Sequence, residues 1–455
     1  IIVWGLFRAM VTFGHKIIFR RSTSDQVPVI DGGRISVSTH INGLVDPLVI
    51  VHSQDRRFTA LGRHDLVTRP LLGWWCRGLG IQPILRKVET TEGITDRDFA
   101  TTINQRSMLT VSNCISSGHS AVVFPEGTSH QDPILHGFKT GPFRTVFAAS
   151  ALAEHRNQPP PHIQPTGLHW RNHTKFRTDH FVEYLEPIPI PNPYTSSETQ
   201  QLIDGVWVEP PENDVVEMRD RVFEILNEAT PNSPDWETYR SWILMAHRRA
   251  SSPIQDLKKE VLQTRIMREA WRDGKLSDET MENAKKTSKI LSDRQLDPRD
   301  INPDGSVIRD QTSIFKLISG LFMMLLSAPL FLVSTFPQAF LAWWMGDRTD
   351  EGIDARTTYH LLAAMFSIPI FWPISSLLVS SSVSIYLGLS ITKAALFIVA
   401  CFPLFYLTCL MMASGYDMMQ DYARNRRRIR FVNDEDYITF RESLSIVDKN
   451  LVDLI

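Results

Sequence analysis

The apolar residues of this 455-residue chain are unevenly spread, and that asymmetry restricts its folds more than any other feature. Residues 20–310 have a soluble composition, whereas three strongly apolar stretches follow, roughly 314–345, 360–387 and 393–415. Each is long enough to cross a bilayer core, which takes about 20 apolar residues. The pattern predicts an integral membrane protein in which a soluble region precedes transmembrane helices. Pro329, Pro337, Pro369, Pro373 and Pro403 are expected to kink those helices. Beyond Tyr416 come Arg424, Arg426, Arg427, Arg428 and Arg430, a basic tail expected on the cytoplasmic side near anionic head groups. If the soluble region shares that side, the crossings must be even in number. One of the three stretches is then re-entrant, interfacial or a short hairpin. A chain cut near Asp310 is expected to stay folded and to leave membranes more readily.

The segment 1–19, IIVWGLFRAMVTFGHKIIF, mixes apolar bulk with Arg8, His15 and Lys16, and Arg20 and Arg21 follow. Those charges favour an amphipathic helix in the membrane interface over a span, with a packed core helix as the alternative. The chain opens on Ile1 rather than Met, so a missing N-terminal stretch is expected, and no cleavable signal peptide is read. From Val27 to about Pro193 short strand-like runs alternate with helical ones. RISVSTH, IQPILR, SAVVFPEG, IQPTGLHW and FVEYLEPIPI read as strands. LLGWWCRGLG and residues 98–117 and 141–155 read as helices. This alternation predicts an α/β domain, a mixed and largely parallel sheet flanked by helices. Residues 213–295 are charged and helical in period, a C-terminal helical extension without chemistry of its own. The expected divisions are 1–20, an interface helix; 21–212, the α/β domain; 213–310, the extension; 311–416, the transmembrane region; and 417–455, the tail.

The charge balance, 48 basic against 50 acidic residues, gives no basic surplus for nucleic acid. Cys76, Cys114, Cys401 and Cys409 form no CxxC pair, so neither a disulfide framework nor a zinc site is expected, and the soluble part is read as facing a reducing compartment.

Four short stretches carry candidate chemistry. In SVSTHINGLVDPLVI a strand runs out before His40, and Asp46 follows six residues later. A histidine beside a carboxylate can take a hydroxyl proton while the carboxylate orients the ring. Within one helix, positions i and i+6 face different ways. His40 must therefore precede the helix, with Asn42 and Gly43 turning Asp46 back towards it. GLGIQPILR ends in Arg86, whose fork of donors matches a phosphate. SAVVFPEGTSHQDPILHGFKTGPF places Glu126, Gly127, Thr128 and Ser129 at a strand end, with Lys139 behind. Gly127 allows close backbone approach, and the turn's N–H groups can cradle an anion. IQPTGLHW reads as a strand ending in the small-residue turn Pro165-Thr166-Gly167. Taken singly, each stretch also describes an ordinary surface turn or charge.

In this order the four stretches resemble the motif blocks of the glycerolipid acyltransferase superfamily, over about residues 27–190. H-I-N-G-L-V-D before Pro47, F-P-E-G-T-S-H and Phe138-Lys139-Thr140-Gly141 resemble the branch, known from fungi, that acylates glycerol-3-phosphate or dihydroxyacetone phosphate, and SPDWETYRSWILMAHRR is similar to a later segment of that branch. The resemblance implies His40 as general base and Asp46 as its orienting partner. It implies that Arg86, Glu126, Gly127 and Thr128 hold the acceptor, with Ser129 and Lys139 beside them, and that Pro165 shapes the acyl-donor channel. It implies no metal and no bound cofactor. The co-substrate would be acyl-CoA or acyl carrier protein, the acceptor glycerol-3-phosphate or a relative, and the setting a lipid bilayer with the catalytic domain on its cytoplasmic side. Two departures stand out. Five residues separate His40 from Asp46 where most of the superfamily has four, and Ser129 stands where most have Arg. Arg86, Lys139 and His130 are left to share the phosphate. The expected activity is glycerol-3-phosphate 1-O-acyl transfer. The alternatives are acylation of 1-acylglycerol-3-phosphate and a non-catalytic lipid-binding scaffold. A hydrolase is disfavoured by the lack of a G-x-S-x-G elbow.

Overall fold

The computed structural model describes all residues except 1, 55, 69, 86–95, 174, 251, 347, 349–352 and 453–455. The chain divides into two compact units. One comprises Ile1–Thr12, Ser24–Leu168 and Val182–Asn232, the other Phe13–Thr23, His169–Phe181 and Ser233–Ile455. Helix α1 (Ile2–Ile18) opens the chain. Its buried side chains Phe7, Val11 and His15 recur every four residues, while Leu6 and Phe13 are exposed, as an amphipathic period requires.

The α/β sheet contains β1 (Arg21–Ser24), β2 (Arg34–Ser38), β3 (Phe58–Arg63), β4 (Gln82–Ile84), β5 (Ser120–Val123), β6 (His162–Trp170), β7 (Asp179–Tyr184) and β8 (Ile188–Pro189). Their order is β1-β7-β6-β2-β5-β3-β4, with β8 pairing β6. The β2/β5, β2/β6, β3/β5 and β3/β4 pairs are parallel, and β6/β8 is antiparallel. The predicted mixed, largely parallel sheet is therefore present. Between the strands run α2 (Val45–Ser53), α3 (His64–Thr68), α4 (Pro70–Gly78), α5 (Arg97–Ser116) and α6 (Gly141–His155), followed by α7 (Ser196–Ile203) and α8 (Glu212–Ala229). Strand β2 is buried along its whole length, the signature of a parallel strand covered on both faces. Ile35 and Val37 join Phe143, Val146, Phe147 and Leu152 of α6 in one core. Burying each such side chain stabilises by about 1.5–3 kcal/mol.

Two expectations change here. Pro165-Thr166-Gly167 is not a turn, because β6 runs on to Trp170 and pairs Pro165 with Val37 and Thr166 with Ser38. The boundary expected at 212 also moves. Val215, Met218, Val222 and Leu226 of α8 lie in the sheet's own core, so charge on the exposed face of this helix concealed an apolar stripe.

The second unit is mainly helical. It holds α9 (Trp236–Arg249), α10 (Leu257–Arg272), α11 (Asp278–Asp293), α12 (Ser313–Ser334), α13 (Phe336–Gly346), α14 (Ile353–Phe366), α15 (Ile368–Leu387), α16 (Ile391–Val432) and α17 (Asp436–Val452). Asp235, Asp256 and Ser277 accept backbone N–H groups at the starts of α9, α10 and α11, as N-caps do. Among the described residues α12, α15 and α16 are long and apolar enough to cross a membrane. Helices break at Thr335 and Ser367, two residues before Pro337 and Pro369, close to where proline excludes helical backbone. Pro329, Pro373 and Pro403 lie inside continuous helices. A Cβ on Gly320 would sit 2.9 Å from the carbonyl of Gly415, so α12 and α16 approach at backbone distance.

The extension and the tail are one folded body. Phe431, Phe440, Leu444, Val447 and Leu451 share a core with Trp242, Met245, Met267, Leu276 and Leu291. Asp300, fully buried, receives Arg424 Nε and Arg428 Nε, each at 2.6 Å. This shared core argues against the expectation that a chain ending near Asp310 stays folded. Such a truncation should expose the α9–α11 core and be degraded in limited proteolysis. Phe440→Ala in the full chain should cost about 3–5 kcal/mol, read as a lowered melting temperature in detergent; an unchanged melting temperature would contradict the shared core.

Candidate active site

The first motif folds as its spacing demanded. Strand β2 stops at Ser38, His40 lies in the loop, and α2 starts at Val45 with Asp46 in its first turn. Gly43 takes φ +49° in that loop, a backbone region that disfavours side chains with a Cβ. The Asp46 carboxylate is fully buried. Its Oδ2 accepts the N–H groups of Ile41 at 2.8 Å and Asn42 at 2.7 Å and pairs with His40 Nδ1 at 2.9 Å. The start of α2 adds the favourable end of a helix dipole. A carboxylate on Nδ1 selects the tautomer whose Nε2 lone pair is available. The His40 side chain keeps 21% of its surface and stacks on Phe124 at 4.3 Å between centroids.

The second loop reaches the same place because the strands are parallel. Val37 and Val123 are partners in the sheet, so the segments after β2 and β5 leave the same edge side by side. Glu126, also buried, accepts the His40 N–H through Oε1 at 2.9 Å. Its Oε2 accepts the His136 N–H at 2.9 Å and bonds His130 Nε2. In return, the His130 N–H donates to the His40 carbonyl at 3.0 Å. Both main-chain polar groups of His40 are thus held by segment 126–130. Gly127 has φ +81° and is exposed, as are Thr128 and Lys139, while Ser129 is half-buried. The Lys139 stem lies 3.7 Å from where a Cβ on Gly127 would stand. The cationic group is therefore carried beside the glycine turn.

The sequence-predicted residues are only partly brought together. His40, Asp46, Glu126, Gly127, Thr128, Ser129 and Lys139 share the two adjoining loops. Pro165 sits one strand away, beside Val37, and its carbonyl accepts the Leu185 N–H at 3.1 Å. Arg86 lies outside the described residues; Leu85 before it is fixed by two 2.9 Å bonds to Asn104. Glu126, expected on the acceptor, directs its bonds to protein groups. His136 and Asp132 were missed by the sequence reading. Their signal was the run H-Q-D-P-I-L-H, which places two histidines six apart after a strand end.

Glu126, His130 and His136 each offer a ligand atom, all within 4.8 Å of one another. However, the two imidazoles are stacked, 3.7 Å apart at 3°. Ring nitrogens bind metals in the ring plane, so parallel rings do not aim at one point. His136 Nε2 also pairs with Asp132 at 2.8 Å. The arrangement is that of a hydrogen-bonded scaffold.

Burial acts to lower the His130 pKa, but the hydrogen bond and charge of Glu126 outweigh it and hold the pKa above its usual value. Protonation costs only the weak 3.3 Å contact from the Asp132 N–H to Nδ1. A pKa raised on folding gives stability that is complete below the unfolded value of about 6.5 and is lost as pH rises through the folded value. The wild-type melting temperature should therefore fall across this window by more than that of His130→Gln. Parallel pH curves for the two proteins would show that the Glu126–His130 pair is not ionic.

The Acyltransferase family profile matches residues 16–168. Over 133 residues the chain is 29% identical to glycerol-3-phosphate O-acyltransferase 2 of Saccharomyces cerevisiae. The match covers 29% of this chain and spans only 16% of the yeast protein's length. Among solved structures, the 1-acyl-sn-glycerophosphate acyltransferase PlsC of Thermotoga maritima aligns with TM-score 0.29 and 18% identity, over 47% of this chain and 79% of its own. The four motif blocks fall within or next to the matched region, and over that region the chain is similar to acyltransferases of the glycerolipid kind.

Proposed function

We propose that the chain is a glycerol-3-phosphate 1-O-acyltransferase using acyl-CoA or acyl carrier protein as donor. The observation that carries this reading is the His40 Nδ1–Asp46 bond, on a histidine whose main chain is clamped by Glu126 and His130. In this mechanism His40 Nε2 takes the proton of the acceptor hydroxyl as its oxygen attacks the thioester carbonyl. Asp46 stabilises the imidazolium that forms. The tetrahedral intermediate collapses, the thiolate leaves, and the imidazolium returns the proton to it. The acceptor phosphate lies against Gly127, Thr128, Ser129 and Lys139, with Arg86 as a further cation. Pro165 shapes the donor channel. The product carries an acyl chain, so the site works at a bilayer surface, on the cytoplasmic side, anchored by the apolar helices.

Purified chain given palmitoyl-CoA with glycerol-3-phosphate, dihydroxyacetone phosphate or lysophosphatidate decides the acceptor. Glycerol-3-phosphate should be acylated fastest; a preference for lysophosphatidate would replace the proposal with its alternative. His40→Ala should lower kcat by about 10²–10⁴-fold, and near-normal turnover would remove His40 from the mechanism. Lys139→Ala should raise KM for the phosphorylated acceptor but not for acyl-CoA, by an amount worth roughly 1.5–3 kcal/mol. For sidedness, cysteines placed singly at the exposed positions Gln158 and Arg426 should label from the same face of sealed vesicles. Labelling from opposite faces would rule out an even number of crossings between them.

A further inference from the structure

The five arginines of α16 divide into two groups with different fates. Arg424 and Arg428, one turn apart, face Asp300 and bond it; Arg424 also reaches Asp297 at 2.8 Å. They are consumed by folding. Arg426, Arg427 and Arg430 lie on a different arc of the same helix, about 100° wide at 3.6 residues per turn. Arg426 and Arg430 are exposed, and Arg427 is half-buried. The Arg427 Nε is buried without a hydrogen-bond partner. No described acidic side chain forms an ion pair with any of the three. A guanidinium partly removed from water and without a direct ion-pair partner is costly; burial and the neighbouring Arg424 outweigh the attraction of Asp300 at Arg427, so this arc is suited to an anion.

The height of the arc along the molecule indicates which anion. Asn425 donates to the Asp310 carbonyl at 3.0 Å and to Ser313 Oγ at 2.8 Å, and accepts the Asp310 N–H at 2.9 Å. The arginines therefore stand level with the first residue of α12. Immediately beyond that level α12 exposes Ile314, Phe315, Ile318 and Phe322. The guanidinium groups thus stand at the height along the molecule where an exposed apolar surface begins, as lipid phosphates stand at the ends of acyl chains. We infer that Arg426, Arg427 and Arg430 form a binding site for the phosphate of an anionic phospholipid. A planar fork of donors fits phosphate oxygens. The inference rests on the membrane placement proposed above and is independent of the reaction.

The test is lipid retention by full-length purified protein reconstituted in vesicles of phosphatidylcholine with phosphatidic acid, read by native mass spectrometry. The wild type should carry phosphatidic acid in excess of its share of the mixture. The Arg426→Gln, Arg427→Gln, Arg430→Gln triple variant should lose that enrichment by about fivefold per arginine, with an unchanged melting temperature in pure phosphatidylcholine. The corresponding triple lysine variant should keep most of it. If the triple glutamine variant does not fold, Arg427→Gln alone is compared. Wild-type protein that incorporates into vesicles without enriching phosphatidic acid would overturn the inference, as would a folded glutamine variant with undiminished enrichment. Displacement of the lipid by inorganic phosphate or glycerol-3-phosphate would assign the arc to soluble phosphate and overturn the lipid assignment. Failure of the wild type to incorporate into vesicles of either composition would overturn the membrane placement itself, and with it this site.

Discussion

A single buried carboxylate, that of Glu126, holds the candidate site together. Leaving it unpaired in this interior would cost several kcal/mol. Its donors come from the His40 main chain, the His136 main chain and the His130 ring. Two loops from different strands are therefore fixed to each other by one side chain. Asp46 then orients only the ring of a residue whose backbone is already in place. The sheet contributes the register that makes this geometry possible, since Val37 and Val123 end their strands side by side.

Charge plays the corresponding role in the helical unit. Glu260 is buried, and burial alone would raise its pKa, yet His247 and Arg171 hold it below the usual carboxylate range. Asp300, with Arg424 and Arg428, connects the stretch before the apolar helices to the stretch after them. Breaking one side of such a pair leaves an uncompensated buried charge. These pairs and the apolar core around Trp242 and Phe440 define a single body from segments far apart in sequence.

Much of this was legible from residues alone. The alternation of short apolar runs and helical periods gave the α/β sheet. The six-residue step from His40 to Asp46 required a turn before the helix, and Gly43 makes it. What was not legible was long-range pairing. Val215, Met218, Val222 and Leu226 have a clear helical period, but nothing local says which sheet they cover. Pro165 and Gly167 carry turn chemistry, yet tertiary pairing with β2 keeps them in a strand. Arg424 and Arg428 look like solvent-facing charges in a basic run, and only the fold reveals Asp300 beneath them. Glu126 looks like a substrate ligand by type and position, but its hydrogen bonds run into the protein.

Helix α16 is one uninterrupted rod of 42 residues. At 1.5 Å per residue it is about 63 Å long, roughly twice the ~30 Å depth of a bilayer's hydrocarbon core. Its apolar half alone is long enough for that depth; with the membrane placement proposed above, the other half stands clear of the lipid as a lever, ending at Phe431 inside the helical core. Apolar helices tilt to match the thickness of their bilayer. A continuous helix, bent at most where Pro403 lies, passes such a tilt on to its far end, at the packing around Phe431 and the Asp300 ion pairs. Under the membrane placement proposed above, bilayer thickness becomes a mechanical load on the folded core around Phe431.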